Sequence, residues 1–326
     1  MIGAEKQATA PHGAIANADE ATASGTGELA DALTPPSPMA SKPHRIYRHR
    51  VSTRLWHWTN AVALIVMLMS GLMIFNAHPR LYWGEYGANM DTPWLWIGPT
   101  REGGGHVLLG PSIDIPTTGV LGRSTNPNGS VNTHAFPHWA TIPSGYSLAG
   151  ARRWHLSFAW IFVLATVGYA LISLVNGHVR RDLLPRRHEL SPRHLWKDIV
   201  DHLKLRFHGD EPGQYNILQK LTYGLVLFVL LPVVILTGMT MSPAFDAAFP
   251  WLLDVFGGRQ SARSIHFICA AGFAAFIVVH LVLVVLAGPI NEIRSMITGW
   301  LHVREVKGHG TEAFEAGLRA HEEQTA

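Results

Sequence analysis

The chain is 326 residues long, 48% hydrophobic and only 15% charged, with eleven tryptophans and a positive mean hydropathy. That composition describes a polytopic membrane protein rather than a water-soluble domain. Its excess of bases, a formal net charge of +3 and a pI near 9.1, gathers at the ends of apolar segments, where topology accounts for it, so nucleic acid is excluded as a partner.

The single cysteine, Cys269, lies inside an apolar run. There is therefore no intramolecular disulfide, no C-x-x-C-H attachment for a c-type haem and no cysteine set for an iron–sulfur cluster. Any redox cofactor must be held by other side chains, and nineteen histidines are available.

Residues 1–43, rich in Ala, Thr, Ser, Gly and Pro, show no apolar periodicity and read as a disordered tail. The tail lacks the apolar core of a signal peptide, so the chain is expected to start in the cytoplasm and to insert through its first membrane helix. That helix is WHWTNAVALIVMLMSGLMIF, Trp56 to Phe75, within a span of about 55–76, and His57 opens it. Residues 77 to about 150 then form a long Gly- and Pro-rich connection with Trp83, Trp94, Trp96 and Trp139. Connections of this length in a compact domain are usually functional, though an irregular hydrophilic cap would read the same way.

The second span, about 153–176, again opens with Trp-His, at Trp154 and His155. A strongly basic connection follows, in which Leu195, Trp196, Ile199, Val200 and Leu203 recur at helical spacing and predict a short helix on the membrane surface. The third span, about 216–242, contains no histidine and carries Pro232, which bends a helix unless neighbours satisfy the freed carbonyl. The fourth, Ser264 to Ala287 (SIHFICAAGFAAFIVVHLVLVVLA), has no charged residue and two histidines, His266 and His280. Asn291 to Trp300 reads as an interfacial helix, and residues 306–326 as a mobile tail. The connections before span one and between spans two and three are dense in Lys and Arg, so both termini are expected in the cytoplasm of a bacterial inner-membrane protein.

The fold class expected is an all-α integral membrane protein: a four-helix bundle over residues 44–305 with a long outer loop between helices 1 and 2. This topology gives each histidine a depth. His266 and His280 are fourteen residues apart, almost four turns, so their rings leave one side of the helix roughly 21 Å apart. His57 is near the cytoplasmic side with His280, and His155 is near the outer side with His266. Two imidazoles facing across a bundle, with no carboxylate or thiolate beside them, suit the axial positions of a b-type haem, two haems in all. Zinc wants about four ligands at one centre, and each depth offers two. Arg54, Arg152 and Arg263 each lie three residues before a histidine, on the same helix face, and are suited to haem propionates, although snorkelling at a helix end would place them there as well. His134 and His138, four apart in the outer loop, are a weaker metal candidate.

WHW at the first span, WH at the second and H-x13-H in the fourth resemble the bacterial four-helix di-haem cytochrome b family of cytochrome b561 type, which includes the membrane subunits of Ni/Fe-hydrogenases, formate dehydrogenases and thiosulfate reductases. The resemblance covers residues from about 44 to 305. It implies that His57, His155, His266 and His280 are haem ligands and that electrons pass between the quinone pool and a partner redox subunit. The long basic and aromatic loop is longer than in the hydrogenase subunits and points to a periplasmic partner, of the molybdopterin oxidoreductase class. Alternatives are a stand-alone oxidoreductase, reacting with superoxide or ferric iron at the outer haem, and a histidine-relay transporter.

Overall fold

Among the described residues, four helices are long and apolar enough to cross a membrane. The computed structural model describes residues 44–88, 90–177 and 217–303, with Ser191, Pro192, Trp196 and Val200 between them. The expected N-terminal tail, most of the surface helix around Leu195 to Leu203 and the C-terminal tail lie outside the described residues. The described residues from Arg45 onward belong to one compact unit.

The chain enters through β1 (His44–Tyr47) and the first span, α1 (Val51–Asn76). The outer connection follows, and then the second span, α2 (Leu148–Val175). The third span is built in pieces: α3 (Ile217–Leu225), a π turn (Val226–Leu230) and α4 (Leu231–Thr240). The π turn sits directly upstream of Pro232, which has no N–H to give to the preceding turn. The wider hydrogen-bond ring there is how the helix accommodates the missing donor without leaving backbone groups bare in hydrocarbon. Two short helices, α5 (Pro243–Ala248) and α6 (Trp251–Val255), lead to the fourth span, α7 (Arg259–Ala287). Gly288, at φ 105°, breaks it, and α8 (Pro289–Thr298) turns away before β8 (Trp300–Val303) pairs with β1.

Three spans begin earlier than their apolar runs. The first starts at Val51, the second at Leu148 and the fourth at Arg259. Polar and charged residues at these ends lie in the first helical turns, so hydropathy alone places the boundaries too late. In the bundle, Ala63, Phe162, Leu231, Val234, Cys269 and Phe273 form the buried core, one contribution at least from each span.

The all-α expectation applies to the spans and fails for the outer connection. That segment folds into an antiparallel sheet in the order β2 (Arg80–Leu81), β3 (Leu95–Pro99), β4 (Gly105–Leu109), β5 (Ile113–Pro116), with a second pair, β6 (Ser124–Thr125) and β7 (Val131–Asn132). Leu95 faces Leu109 and Ile97 faces Val107 across the central ladder. Strands of two to five residues broken by glycine and proline leave no alternating run long enough to read in sequence.

This cap is seated on the helix ends. Phe75 of α1 joins Leu81, Leu95, Ile97 and Ala135 in its core, with Phe267 of α7 packed against it. Asn76 closes the seat, its side-chain carbonyl accepting from Phe136 N–H at 2.8 Å while its amide donates to Phe136 O at 3.2 Å. On α7, Ser264 is fully buried; its hydroxyl donates to Tyr82 O at 2.6 Å and accepts from Trp94 Nε1 at 2.9 Å. Ser261 accepts from Gly84 N–H at 2.7 Å.

Ser264→Ala removes one hydroxyl and strands a buried carbonyl and a half-buried indole N–H. Unmade buried hydrogen bonds cost ~1–3 kcal/mol each. The cap of the S264A protein is expected to be cleaved faster by limited proteolysis at its exposed turns, with the membrane spans still protected.

Candidate functional site

The four histidines meet in two pairs. His57 of α1 faces His280 of α7 with ring centres 6.3 Å apart, and His155 of α2 faces His266 of α7 at 6.2 Å. Both pairs are half-buried between helices. Starting at Val51, α1 places His57 a turn or more inside the helix.

These separations can be set against two chemistries. Imidazoles that hydrogen-bond to each other directly bring their centres to about 5 Å. One metal ion held between two nitrogens needs about 2 Å to each, plus the distance from nitrogen to ring centre, which sums to roughly 6 Å. Both pairs have the second spacing, and among the described residues no group of three or more His, Cys, Asp or Glu could hold a metal. The donor sets fit the axial ligation of a haem iron and not a four-ligand zinc centre.

The rings of His155 and His266, the pair nearer the cap, are oriented by matched hydrogen bonds. His155 Nδ1 lies 3.0 Å from Met67 O and 3.2 Å from Ser70 Oγ on α1; His266 Nδ1 lies 3.0 Å from Val234 O and 3.1 Å from Thr237 Oγ1 on α4. A carbonyl only accepts, so Nδ1 carries the proton and donates. Each Nε2 is left with its lone pair free for a metal. Beside each hydroxyl is a glycine, and a Cβ on Gly71 or Gly238 would stand 3.4 or 3.3 Å from Cε1 of the ring it faces. Gly71 and Gly238 make room for imidazoles. Gly272 faces Leu230 instead, and Gly168 faces nothing within 4 Å.

The pair farther from the cap, His57 and His280, is held differently. His280 stacks on Phe276, with ring centres at 5.7 Å, and His57 Nδ1 is buried with no hydrogen-bond partner among the described residues. Trp56 Nε1 and the Nε atoms of Arg48, Arg54 and Arg294 share that condition at the same end of the bundle.

The three paired arginines go to different places. Arg54 donates to Ile297 O at 2.7 Å, at the carbonyl end of α8. Arg263 spends both terminal nitrogens on cap carbonyls, Arg80 O at 3.0 Å and His78 O. Arg152 is exposed. Arg259, another base at the cap end of the bundle, pairs with Asp246. His134 and His138 have ring centres 6.3 Å apart in the cap, with Tyr146 stacked on His134 and no third ligand among the described residues.

Residues 48–299 match the family model described as prokaryotic cytochrome b561. The chain belongs to the prokaryotic cytochrome b561 family. This cytochrome is thus a haem-binding, multi-pass membrane protein of electron transport. Among curated proteins it is 29% identical to the putative protein-methionine-sulfoxide reductase subunit YedZ1 of Azospira oryzae, across 72% of the chain and 87% of that protein. It is 21% identical to the probable Ni/Fe-hydrogenase B-type cytochrome subunit of Cupriavidus necator, across 78% of the chain and 86% of that protein. No solved structure matches the cytochrome.

Ser70 and Thr237 escaped the sequence reading. Their signal is a hydroxyl followed by glycine inside an apolar run, MLMSG in the first span and VILTG in the third.

His49, just before α1, is buried, and desolvation, with repulsion from Arg48, His57 and Arg54, lowers its pKa from 6.5 to about 4. A folded-state pKa below the unfolded one means that the unfolded chain takes up the proton first on acidification. The contribution is complete above pH 6.5 and is lost as the pH falls toward 4. The thermal midpoint of the detergent-solubilised cytochrome should fall across this window, and less steeply in H49Q.

Proposed function

We propose that this cytochrome carries electrons across the bacterial inner membrane, between the quinone pool at its inner end and a redox partner at its outer end, through two b-type haems. The observation that carries the reading is the pair of facing imidazoles at 6.3 and 6.2 Å, both completed by one helix. A haem held by two imidazoles supplies one-electron chemistry and leaves no open axial position. His57 and His280 hold the inner group, and His155 and His266 the outer. Cys269 and Phe273, which lie between His266 and His280 on α7, belong to the buried core with Ala63 and Phe162.

Both termini and the basic connection between spans two and three lie on the cytoplasmic side in this reading. Arg54, Arg152 and Arg263 serve the propionates. Of these, Arg152 is the most open to a carboxylate, and Arg263 would have to share its guanidinium with the cap.

The quinone site belongs beside α8. Pro289, Ile290, Ile293, Arg294, Ile297 and Thr298 line an open, apolar groove of about 390 Å³ there. The partner docks on the cap, where Trp139 is 77% and Tyr86 83% exposed. A molybdopterin oxidoreductase is the class proposed, and the reductase-subunit and hydrogenase-subunit names of the relatives support an oxidoreductase partner.

A pyridine haemochrome assay on the purified protein should count two b haems per chain, and a count of one or none overturns the proposal. H155A and H266A should each remove the same spectral component, whereas loss of different components would break the pairing. Ile293→Ala with Ile297→Ala should slow haem reduction by quinol at least several-fold if the groove is the quinone site; an unchanged rate moves the site elsewhere.

A further inference from the structure

The bundle contains the same small device twice. In α1, Met67 O accepts from a histidine Nδ1, Ser70 sits one turn further on with its hydroxyl at the same nitrogen, and Gly71 lies against Cε1. In α4, Val234 O, Thr237 and Gly238 do the same for the other ring. The nitrogen-to-oxygen distances agree between the copies to 0.1 Å, at 3.0 and 3.0 Å for the carbonyls and 3.2 and 3.1 Å for the hydroxyls. His155 and His266 also occupy the same place in their own helices, each seven residues after the first.

The direction of each hydrogen bond is fixed by what the hydroxyls already do. Ser70 Oγ–H donates within its own helix, to Val66 O at 2.7 Å, and Thr237 Oγ1–H donates to Val233 O at 2.6 Å. With the proton committed there, each oxygen faces the imidazole as an acceptor. Nδ1–H is thereby shared between a carbonyl and a hydroxyl. Two acceptors on one N–H draw the ring toward imidazolate character and raise its basicity as a ligand. His57 Nδ1, by contrast, is buried with no acceptor among the described residues.

We propose that Ser70 and Thr237 are positioning residues for the outer haem: as second acceptors beside the carbonyls that fix the Nδ1–H tautomer, they lower the midpoint potential of that haem, leaving the inner one unaffected. The inference rests on the proposed ligation of the outer haem by His155 and His266. A more basic ligand pair favours the ferric iron, whose charge is higher, over the ferrous. Removing a hydroxyl acceptor shifts the balance toward reduction while the carbonyl still holds the ring.

The test is a redox titration of the purified cytochrome, following the component that disappears in H266A. In S70A and in T237V, the ratio of reduced to oxidised outer haem at fixed ambient potential should rise about three- to tenfold, that is by ~30–60 mV at 59 mV per tenfold for one electron. T237S, which keeps the hydroxyl, should titrate like the parent, and the inner component should stay in place throughout. Low-temperature electron paramagnetic resonance of the outer ferric haem should shift in the same two variants. If T237V fails to retain the outer haem, S70A against T237S gives the same comparison. An outer midpoint unmoved in S70A, or an inner midpoint that moves as far as the outer one, overturns the inference while the two-haem reading stands. A parent protein lacking the outer component overturns both.

Discussion

An imidazole between membrane helices is best fixed for a metal when its second nitrogen is satisfied, because an unpaired N–H in hydrocarbon is costly and an unfixed ring has no single direction. In the half of this bundle nearer the cap that requirement is met by backbone. Met67 and Val234 turn their carbonyls toward the neighbouring helix, although each carbonyl also belongs to its own helical ladder. The second lone pair of a carbonyl makes this possible, and the glycines one turn on let the ring come close enough to use it. Helix packing, ring orientation and the choice of free nitrogen are therefore one constraint. The pairs α1 with α2 and α4 with α7 each satisfy it once.

The cap and the fourth span depend on each other in a related way. Ser261, Arg263 and Ser264 lie on the first turns of α7 and hold the strands above it, one turn before His266 begins to face inward. A partner docked on the cap would thus rest on the helix that carries half of each histidine pair. Arg263 is fixed by this arrangement. Its guanidinium bonds to backbone oxygens that do not titrate, so it is a structural clamp on the cap whatever else it serves.

Much of this was legible in the sequence, and for a simple reason. Twenty-residue apolar runs and uncharged histidines are strong signals because the bilayer penalises every exception to them. The spacing of His266 and His280, with Trp-His at two other span starts, was enough to anticipate which rings would meet. The antiparallel sheet was not legible, since its strands are too short to show a period and its core borrows Phe75 and Phe267 from the helices. The hydroxyl seats were missed for a different reason. Ser70 and Thr237 read as ordinary helix residues that bond back to their own turn, which they also do. Their second contact is tertiary and leaves only the Ser-Gly and Thr-Gly pairs as a trace. The arginines show the converse: a shared offset from histidine in sequence led to three separate environments.

The fourteen-residue interval on α7 has a rotational meaning as well as an axial one. Each residue advances the helix by about 100°, so fourteen fall short of four full turns by about 40°. His280 therefore points some 40° in azimuth away from His266, and the two cannot address the same neighbour squarely. Around the bundle, the helix met at the first bearing is α2 and at the second is α1. The order in which the first two spans are arranged about the fourth is in effect written as an angle in the spacing of its own two histidines.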